Sequence, residues 1–405
     1  MRVDRTPLTV RRGFPRETIM NKKPVEVSVS ELEEILDRYL DSGESVNFAL
    51  KIVGHPGVGK SAIVRQAAGR KNRLFIDTRL AFKENVDLGG YPVPDASEAR
   101  MIYYRPQFIP PAEVPEGSDG IVWFLDESNR AHPTVIQTLF QIITDRRCGE
   151  HELPSNTCII LAGNLGDEDN TTITDFDDSA LDGRLVIVQL KPTAADWIRW
   201  AGREGIHPSV VRYITIYPEK LWDERNINPN PRGWHQVSQA IAVSYGLNGE
   251  EELVRFLSEN PASTLEKVIV SLVGTVAGSD FTAQITRPRR ITTADVLSGD
   301  REKLDGMRNG SIPSEDLLWA VSGALSHLRE KNTLLKGEFF GEDLKELAGT
   351  LLFVGHSRAD RRISFFYTLL RQCGLYSLVP AALALLDEAD RAPIRAAFGA
   401  ILEDN

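Results

Sequence analysis

Residues 54–61 read GHPGVGKS, a complete G-x-x-x-x-G-K-[ST] pattern, and this stretch decides the fold. Gly54, Gly57 and Gly59 let the backbone bend tightly and turn its N–H groups toward phosphate oxygens, with His55, Pro56 and Val58 completing the loop. Lys60 offers a point charge to β- and γ-phosphates, and Ser61 offers a hydroxyl to Mg²⁺. Average composition brings the fixed positions together by accident in roughly one or two chains in a hundred of this length. Context decides against accident. Residues 47–53 (NFALKIV) are apolar and β-prone, and residues 61–69 (SAIVRQAAG) are helix-prone with apolar spacing. Strand, glycine loop and helix in that order predict a nucleotide-phosphate site.

Working outward, strand-like runs recur at 73–77, 121–125, 157–162 and 185–190, separated by segments long enough for crossovers. That pattern predicts a doubly wound α/β fold with buried parallel strands. Upstream, Ser30-Glu31-Leu32-Glu33 reads as a capping box opening a helix to about Leu40. From Pro192 onward apolar residues recur at helical spacing, interrupted by NINPNPRG (226–233) and TRPRRITTADVLSGD (286–300). Further amphipathic helices are expected at 362–372 and 378–386. The expected organisation is a flexible basic arm (1–29), an α/β nucleotide-binding core (30–191), an α-helical lid (192–300) and a helical C-terminal extension (301–405).

Composition narrows the class. With 42% hydrophobic and 26% charged residues, the 405-residue chain is neither disordered nor membrane-embedded in character. No apolar run reaches bilayer length, and the first twenty residues carry arginines without the apolar core of a signal peptide. Cys148, Cys158 and Cys373 form no metal or disulfide framework, which makes a reducing cytoplasm the default. A net charge of −10 argues against nucleic acid as the main partner, while leaving room for local basic patches.

Two further runs carry chemistry. Residues 121–127 (IVWFLDE) form an apolar strand ending in two carboxylates. Beside a phosphate loop, Asp126 suits Mg²⁺ held through water, and Glu127 suits a residue that polarises water for in-line attack on a γ-phosphate. Residues 157–162 (TCIILA) end in Gly163-Asn164, where an amide can orient that water without adding charge. Alone, the first would be a strand with an acidic turn and the second an ordinary turn asparagine.

GHPGVGKS, FLDESNRAHPTVIQTLFQ (124–141), LAGN (161–164), ALDGR (180–184) and PRGW (231–234) stand in the order found in AAA+ ATPases. The chain resembles most the MoxR branch and its relatives sharing the dynein-related ATPase domain. The string Asp126, Glu127, Asn129, Arg130, Ala131 matches that branch's D-E-x-N-R-A. The resemblance covers roughly residues 30–300. It implies ATP and Mg²⁺ as cofactors, with Lys60 and Ser61 as phosphate and metal contacts. It further implies Asp126 and Glu127 as the Walker B pair and Asn164 as the sensor-1 amide. Arg184 would be an arginine finger reaching a neighbouring subunit, and Arg232 a sensor-2 arginine on the lid, in cis or trans. Arg130 is read either as structural or as a further inter-subunit contact. A finger from a neighbour makes hydrolysis depend on assembly, so a closed homo-hexameric ring is expected.

The sequence departs from the branch in three places. The loop ends Gly59-Lys60-Ser61 where Ala-Lys-Thr is common, Asn164 is followed by Leu165 instead of proline, and D-R-F becomes Asp182-Gly183-Arg184-Leu185. An acidic stretch, including Asp167, Glu168, Asp169, Asp175, Asp177 and Asp178, precedes the last of these.

The family also inserts segments near the second helix and before sensor 1, here 79–111 and 146–154. In the first, Phe82, Tyr91, Tyr103, Tyr104, Arg105 and Phe108 either grip a polypeptide, stack on bases or pack the insert on the core. The clusters Arg287/Arg289/Arg290 and Arg358/Arg361/Arg362 read as solvated faces. The expected function is a ring-forming ATPase that remodels or activates a protein partner, with a von Willebrand factor A-domain protein suggested by the family. The alternatives are a nucleic-acid motor or restriction-like NTPase subunit, and a nucleotide-gated scaffold with little hydrolysis.

Overall fold

The computed structural model describes residues 24–166, 181, 183–223 and 225–403. The expected arm up to residue 23 and the acidic stretch 167–180, with Asp182, lie outside the described residues. The chain divides into two compact units, Met1–Lys191 and Pro192–Asn405.

The first unit is built on a six-stranded, wholly parallel sheet. Its strands are β1 (Val25–Val27), β2 (Ala49–Val53), β3 (Arg73–Arg79), β6 (Gly120–Asp126), β9 (Thr157–Gly163) and β10 (Leu185–Leu190), in spatial order β1-β10-β2-β9-β6-β3. β6 and β9 are buried almost throughout, as near-continuous apolar runs must be when both sheet faces are covered. Alternate residues of β6 feed opposite cores. Val122 and Phe124 pack with helices α1 (Val29–Ser42) and α2 (Lys60–Arg70), while Trp123 and Leu125 pack with α4 (Pro133–Thr144).

Two expectations shift here. β1 falls within the segment expected as a flexible arm, yet Val25, Glu26 and Val27 pair with Val188, Gln189 and Leu190. The capping box is also two residues earlier than expected. Ser28, not Ser30, accepts the N–H of Glu31 at 3.3 Å, and the Glu31 carboxylate accepts the Ser28 N–H at 2.8 Å. The strand runs directly into the helix, so the cap sits at the first residue past the ladder.

Between β3 and β6 the chain forms a short helix α3 (Asn85–Gly89) and an antiparallel ribbon, β4 (Tyr91–Asp95) with β5 (Arg100–Tyr104). The ribbon's root is anchored. Cys148 Sγ approaches the Leu88 carbonyl at 3.2 Å, and the Gly149 Cα lies so close to Gly89 that an added Cβ would meet it at 2.9 Å. Cys148 and His151 belong to the small hairpin β7 (Arg147–Cys148) and β8 (His151–Glu152). Arg105 donates to the carbonyls of Pro110 and Glu152, and Lys83 stands 3.7 Å over the Phe108 ring. These two residues pack the insert down. Phe82, Tyr91, Tyr103 and Tyr104 do not: they are 74%, 60%, 43% and 62% exposed.

The second unit is helical, with no strand among its described residues. One apolar cluster centres on Tyr213, Trp234 and Phe281, whose ring centroids lie 5.2–5.6 Å apart. A second spans Ile291 to Ile394. The helix Ser314–Leu335 serves both, giving Trp319 to the first and Leu317, Ala320, Val321 and Leu325 to the second. The segment expected as one helix over 362–372 is the helix Ala359–Tyr367 followed by a π-turn, Thr368–Gln372.

The basic run at 287–290 is not a solvated face. Arg287 pairs with Glu315 at 2.5 Å and Asp316 at 3.5 Å, and Arg289 stacks 3.9 Å over Trp319. The backbone N–H of Arg290 donates to Asp316 at 3.1 Å. The other run is only partly solvated: Arg361 and Arg362 donate to the carbonyls of Ser314 and Gly355, and Arg358 is exposed. No helix among the described residues is long and apolar enough to cross a membrane.

Candidate functional site

In a parallel sheet, loops after the strands gather at one rim, and the register here brings three of them together. Val53 is level with Gly163 across β2–β9, and Leu125 with Leu161 across β9–β6. The residues that follow, Gly54, Asn164 and Asp126, therefore share the carboxyl rim, where open α/β sheets bind ligands.

The loop is shaped by two left-handed glycines, Gly57 at φ 82° and Gly59 at φ 100°. Gly59 is the N-cap of α2 and supplies no side-chain cap, so the first N–H groups of the helix face outward as an anion site. Lys60 Nζ donates to the carbonyls of Gly54 at 2.6 Å and His55 at 3.1 Å, and to Asn164 Oδ1 at 3.2 Å. The loop and Asn164 thus hold one ammonium between them. His55 and Val58 are buried beneath the loop, and Pro56 lies at its partly exposed edge.

The acidic turn is conformationally unusual. Glu127 adopts φ 56°, left-handed for a residue with a Cβ, and its N–H donates to Asp126 Oδ1 at 2.8 Å. Its carboxylate stands 4.0 Å from the guanidinium of Arg79 and 4.0 Å from that of Arg130. Arg130 thus has a partner within its own chain. Arg79, level with Asp126 across β3–β6, escaped the sequence reading because β3 runs two residues beyond its apolar part.

Asn129 and Ser128 were also missed as participants. Asn129 Nδ2 donates to the Asn164 carbonyl at 2.6 Å, and the Asn164 N–H donates to Asn129 Oδ1 at 3.2 Å. Ser128 Oγ donates to the Ala162 carbonyl at 2.9 Å. Gly163 is required beneath this clamp, because a Cβ there would lie 2.7 Å from Asn129 Oδ1. Three hydrogen bonds therefore pin the acidic turn to the end of β9 and Asn164. Asp77 lies on the same face of the sheet, 3.7 Å from Arg65, and burial together with Asp126 raises its pKa.

The donor set suits a magnesium–phosphate ligand. The Ser61 hydroxyl has no hydrogen-bond partner among the described residues, and Asp126 supplies carboxylate oxygens beside it on the rim. Hard oxygen donors, few in number and supplemented by phosphate, are what Mg²⁺ takes. Among the described residues, no group of three or more His, Cys, Asp or Glu is placed to hold an ion by itself.

Of the two arginines carried over from the resemblance, only Arg184 belongs to the first unit. Arg184 immediately precedes β10, its carbonyl accepting the Ala49 N–H at 3.0 Å. That is the amino rim of the sheet, separated from the phosphate loop by the length of β10, about 20 Å at ~3.3 Å per residue. Arg232 belongs to the second unit. It is exposed at the second position of the helix Pro231–Gln239, which Asn230 caps by accepting the Gly233 N–H at 2.9 Å.

No protein-family model matches the chain, and no curated protein is similar to it. Among solved structures, it is similar to the RuvB Holliday junction branch migration motor of Thermotoga maritima at 14% identity and TM-score 0.34, covering 80% of this chain and 81% of that one. NtrX from Brucella abortus in complex with ADP is similar at 17% identity and TM-score 0.31, covering 76% of this chain and 68% of that one. These likenesses concern fold alone. The architecture is a doubly wound parallel α/β core with a phosphate-loop topology, followed by a helical region.

Proposed function

We propose that the protein is a Mg-ATP hydrolase of the AAA+ type, nearest in its motifs to the MoxR branch, that works as a ring on a protein client. The observation that carries the hydrolase reading is the single ammonium of Lys60 shared between loop carbonyls and Asn164, on the rim that bears Asp126 and Glu127. Bound nucleotide replaces those acceptors with β- and γ-phosphate oxygens, while the N–H groups of Gly57 to Ser61 take the remaining phosphate charge. Ser61 and Asp126 would hold Mg²⁺, which neutralises charge on the phosphates. Glu127 accepts a proton from the attacking water, and Asn164 orients that water. The clamp from Asn129 keeps the two in register.

Arg184 lies too far from its own loop to reach it, which supports a role in a neighbour's site and hence hydrolysis between subunits. For Arg232 we propose a sensor-2 role in the lid, and for the lid and extension the expected boundary near residue 300. A protein client is favoured over nucleic acid by two observations. The exposed tyrosines of the β4–β5 ribbon have no free basic companions, since Arg100 pairs with Glu98 at 2.8 Å. In the run at 287–290, Arg287 is paired with carboxylates and Arg289 stacks on Trp319, which leaves Arg290 as its exposed cation. A von Willebrand factor A-domain partner rests on the resemblance alone.

ATP titration of the wild type and of Lys60→Ala tests the site. Binding should weaken at least tenfold in the variant, and equal affinity in both would remove the loop from the nucleotide site.

A further inference from the structure

The second unit contains a cavity of about 90 Å³ on the seam between its two apolar clusters. Val211 of one cluster and Leu325 and Phe365 of the other form its apolar walls. Two guanidiniums, Arg212 and Arg329, and four hydroxyl residues, Thr215, Ser322, Ser326 and Thr368, also line it, and no carboxylate does so among the described residues. Charges are costly in such a place unless they are paired.

The two cations are seated by glycines. A Cβ on Gly323 would collide with Arg212 Nη2, and one on Gly202 would lie 3.1 Å from Arg329 Nη1. Arg212 is only 6% exposed, and burial lowers its pKa. It pairs with Glu250 at 2.5 Å, a residue outside the cavity lining, and its Nε has no partner. The Arg329 guanidinium makes no hydrogen bond or ion pair among the described residues, and neither do the hydroxyls of Ser322 and Ser326. On the helix Ser314–Leu335, Ser322, Ser326 and Arg329 recur at i, i+4 and i+7, and so share one face. Glu250 pairs with Arg212, and Glu330 acts on that pair electrostatically, while the Arg329 guanidinium has no ion pair among the described residues. The cavity holds about three waters at ~30 Å³ each, far below the roughly 300 Å³ of an ordinary organic-ligand pocket.

We propose that this cavity binds a small oxyanion, of phosphate or carboxylate chemistry, that ties the two helical clusters together. Arg329 supplies the charge-assisted donors, Ser322 and Ser326 supply hydroxyls from the same helix face, and Arg212 closes the opposite wall. This site is independent of the phosphate loop.

Thermal unfolding of the full chain in inorganic phosphate or in acetate tests it. Ionic strength is held with chloride, and the anion stays on the order of 10 mM, where general salt exclusion is small. The wild type and Lys60→Ala should both rise in Tm with anion concentration, as ligand linkage requires. Arg329→Met and the milder Ser326→Ala should weaken that response at least tenfold and fivefold in apparent affinity. A stronger response to phosphate identifies a phosphate site, and a stronger one to acetate a carboxylate site. A response abolished by Lys60→Ala but intact in Arg329→Met would place the anion in the phosphate loop and overturn the proposal. Failure of both anions to shift the wild-type Tm would overturn it as well.

Discussion

Asn129 spends its amide on the main chain of Asn164, and that choice fixes the backbone from which the Asn164 side chain projects. Asn129→Ala should lower kcat about a hundredfold, the cost of a misplaced positioning group, while leaving ATP affinity unchanged. Gly163→Ala should do similar damage by forcing its Cβ against Asn129. The double variant should be no slower than Asn129→Ala alone, because the clash then has no partner. Additive losses in steady-state turnover would show that the two residues act separately. The gathering of Lys60, Ser61, Asp126 and Glu127 at one end of the sheet was legible in the sequence because each stands at fixed spacing from its own strand. Asn129 and Arg79 were not, since their partners lie across β6–β9 and β3–β6 and only strand order brings them together.

Among elements, the helix Pro208–Ile216 depends on a histidine cap. His207 is 2% exposed, its Nδ1 accepts the Ser209 N–H at 3.3 Å, and burial pulls its pKa from 6.5 down to about 4. The unfolded chain binds this proton near pH 6.5 and the folded chain only near 4, so protonation favours unfolding in that window. The stability His207 contributes is intact above pH 6.5 and is lost as the pH falls toward 4, about 3 kcal/mol in all. His207→Gln should flatten the pH dependence of urea unfolding over that range. An unchanged slope would assign the acid sensitivity to other groups. Central strands were readable as unbroken apolar runs, whereas β1, with three residues, was too short to register. The basic run at 287–290 was misread for a similar reason. Its partners Glu315, Asp316 and Trp319 lie about thirty residues on, beyond any local pattern.

On the scale of the whole molecule, the account requires that one chain complete another's site. Arg184 sits at the amino rim of its own sheet, and the phosphate loop sits at the carboxyl rim. Lys60→Ala and Arg184→Ala should each be inactive alone, at a cost of about 10³-fold or more for a lost finger. Mixed together, they should recover ATP hydrolysis at interfaces that pair an intact loop with an intact arginine. No recovery from a mixture shown to co-assemble would confine catalysis to single chains. The most direct test of the central claim is ATP turnover and ATP binding measured side by side for the wild type and Glu127→Gln. The account predicts steady-state hydrolysis by the wild type and its loss in the variant, at least a hundredfold, with ATP affinity preserved. Undiminished hydrolysis by Glu127→Gln would contradict it.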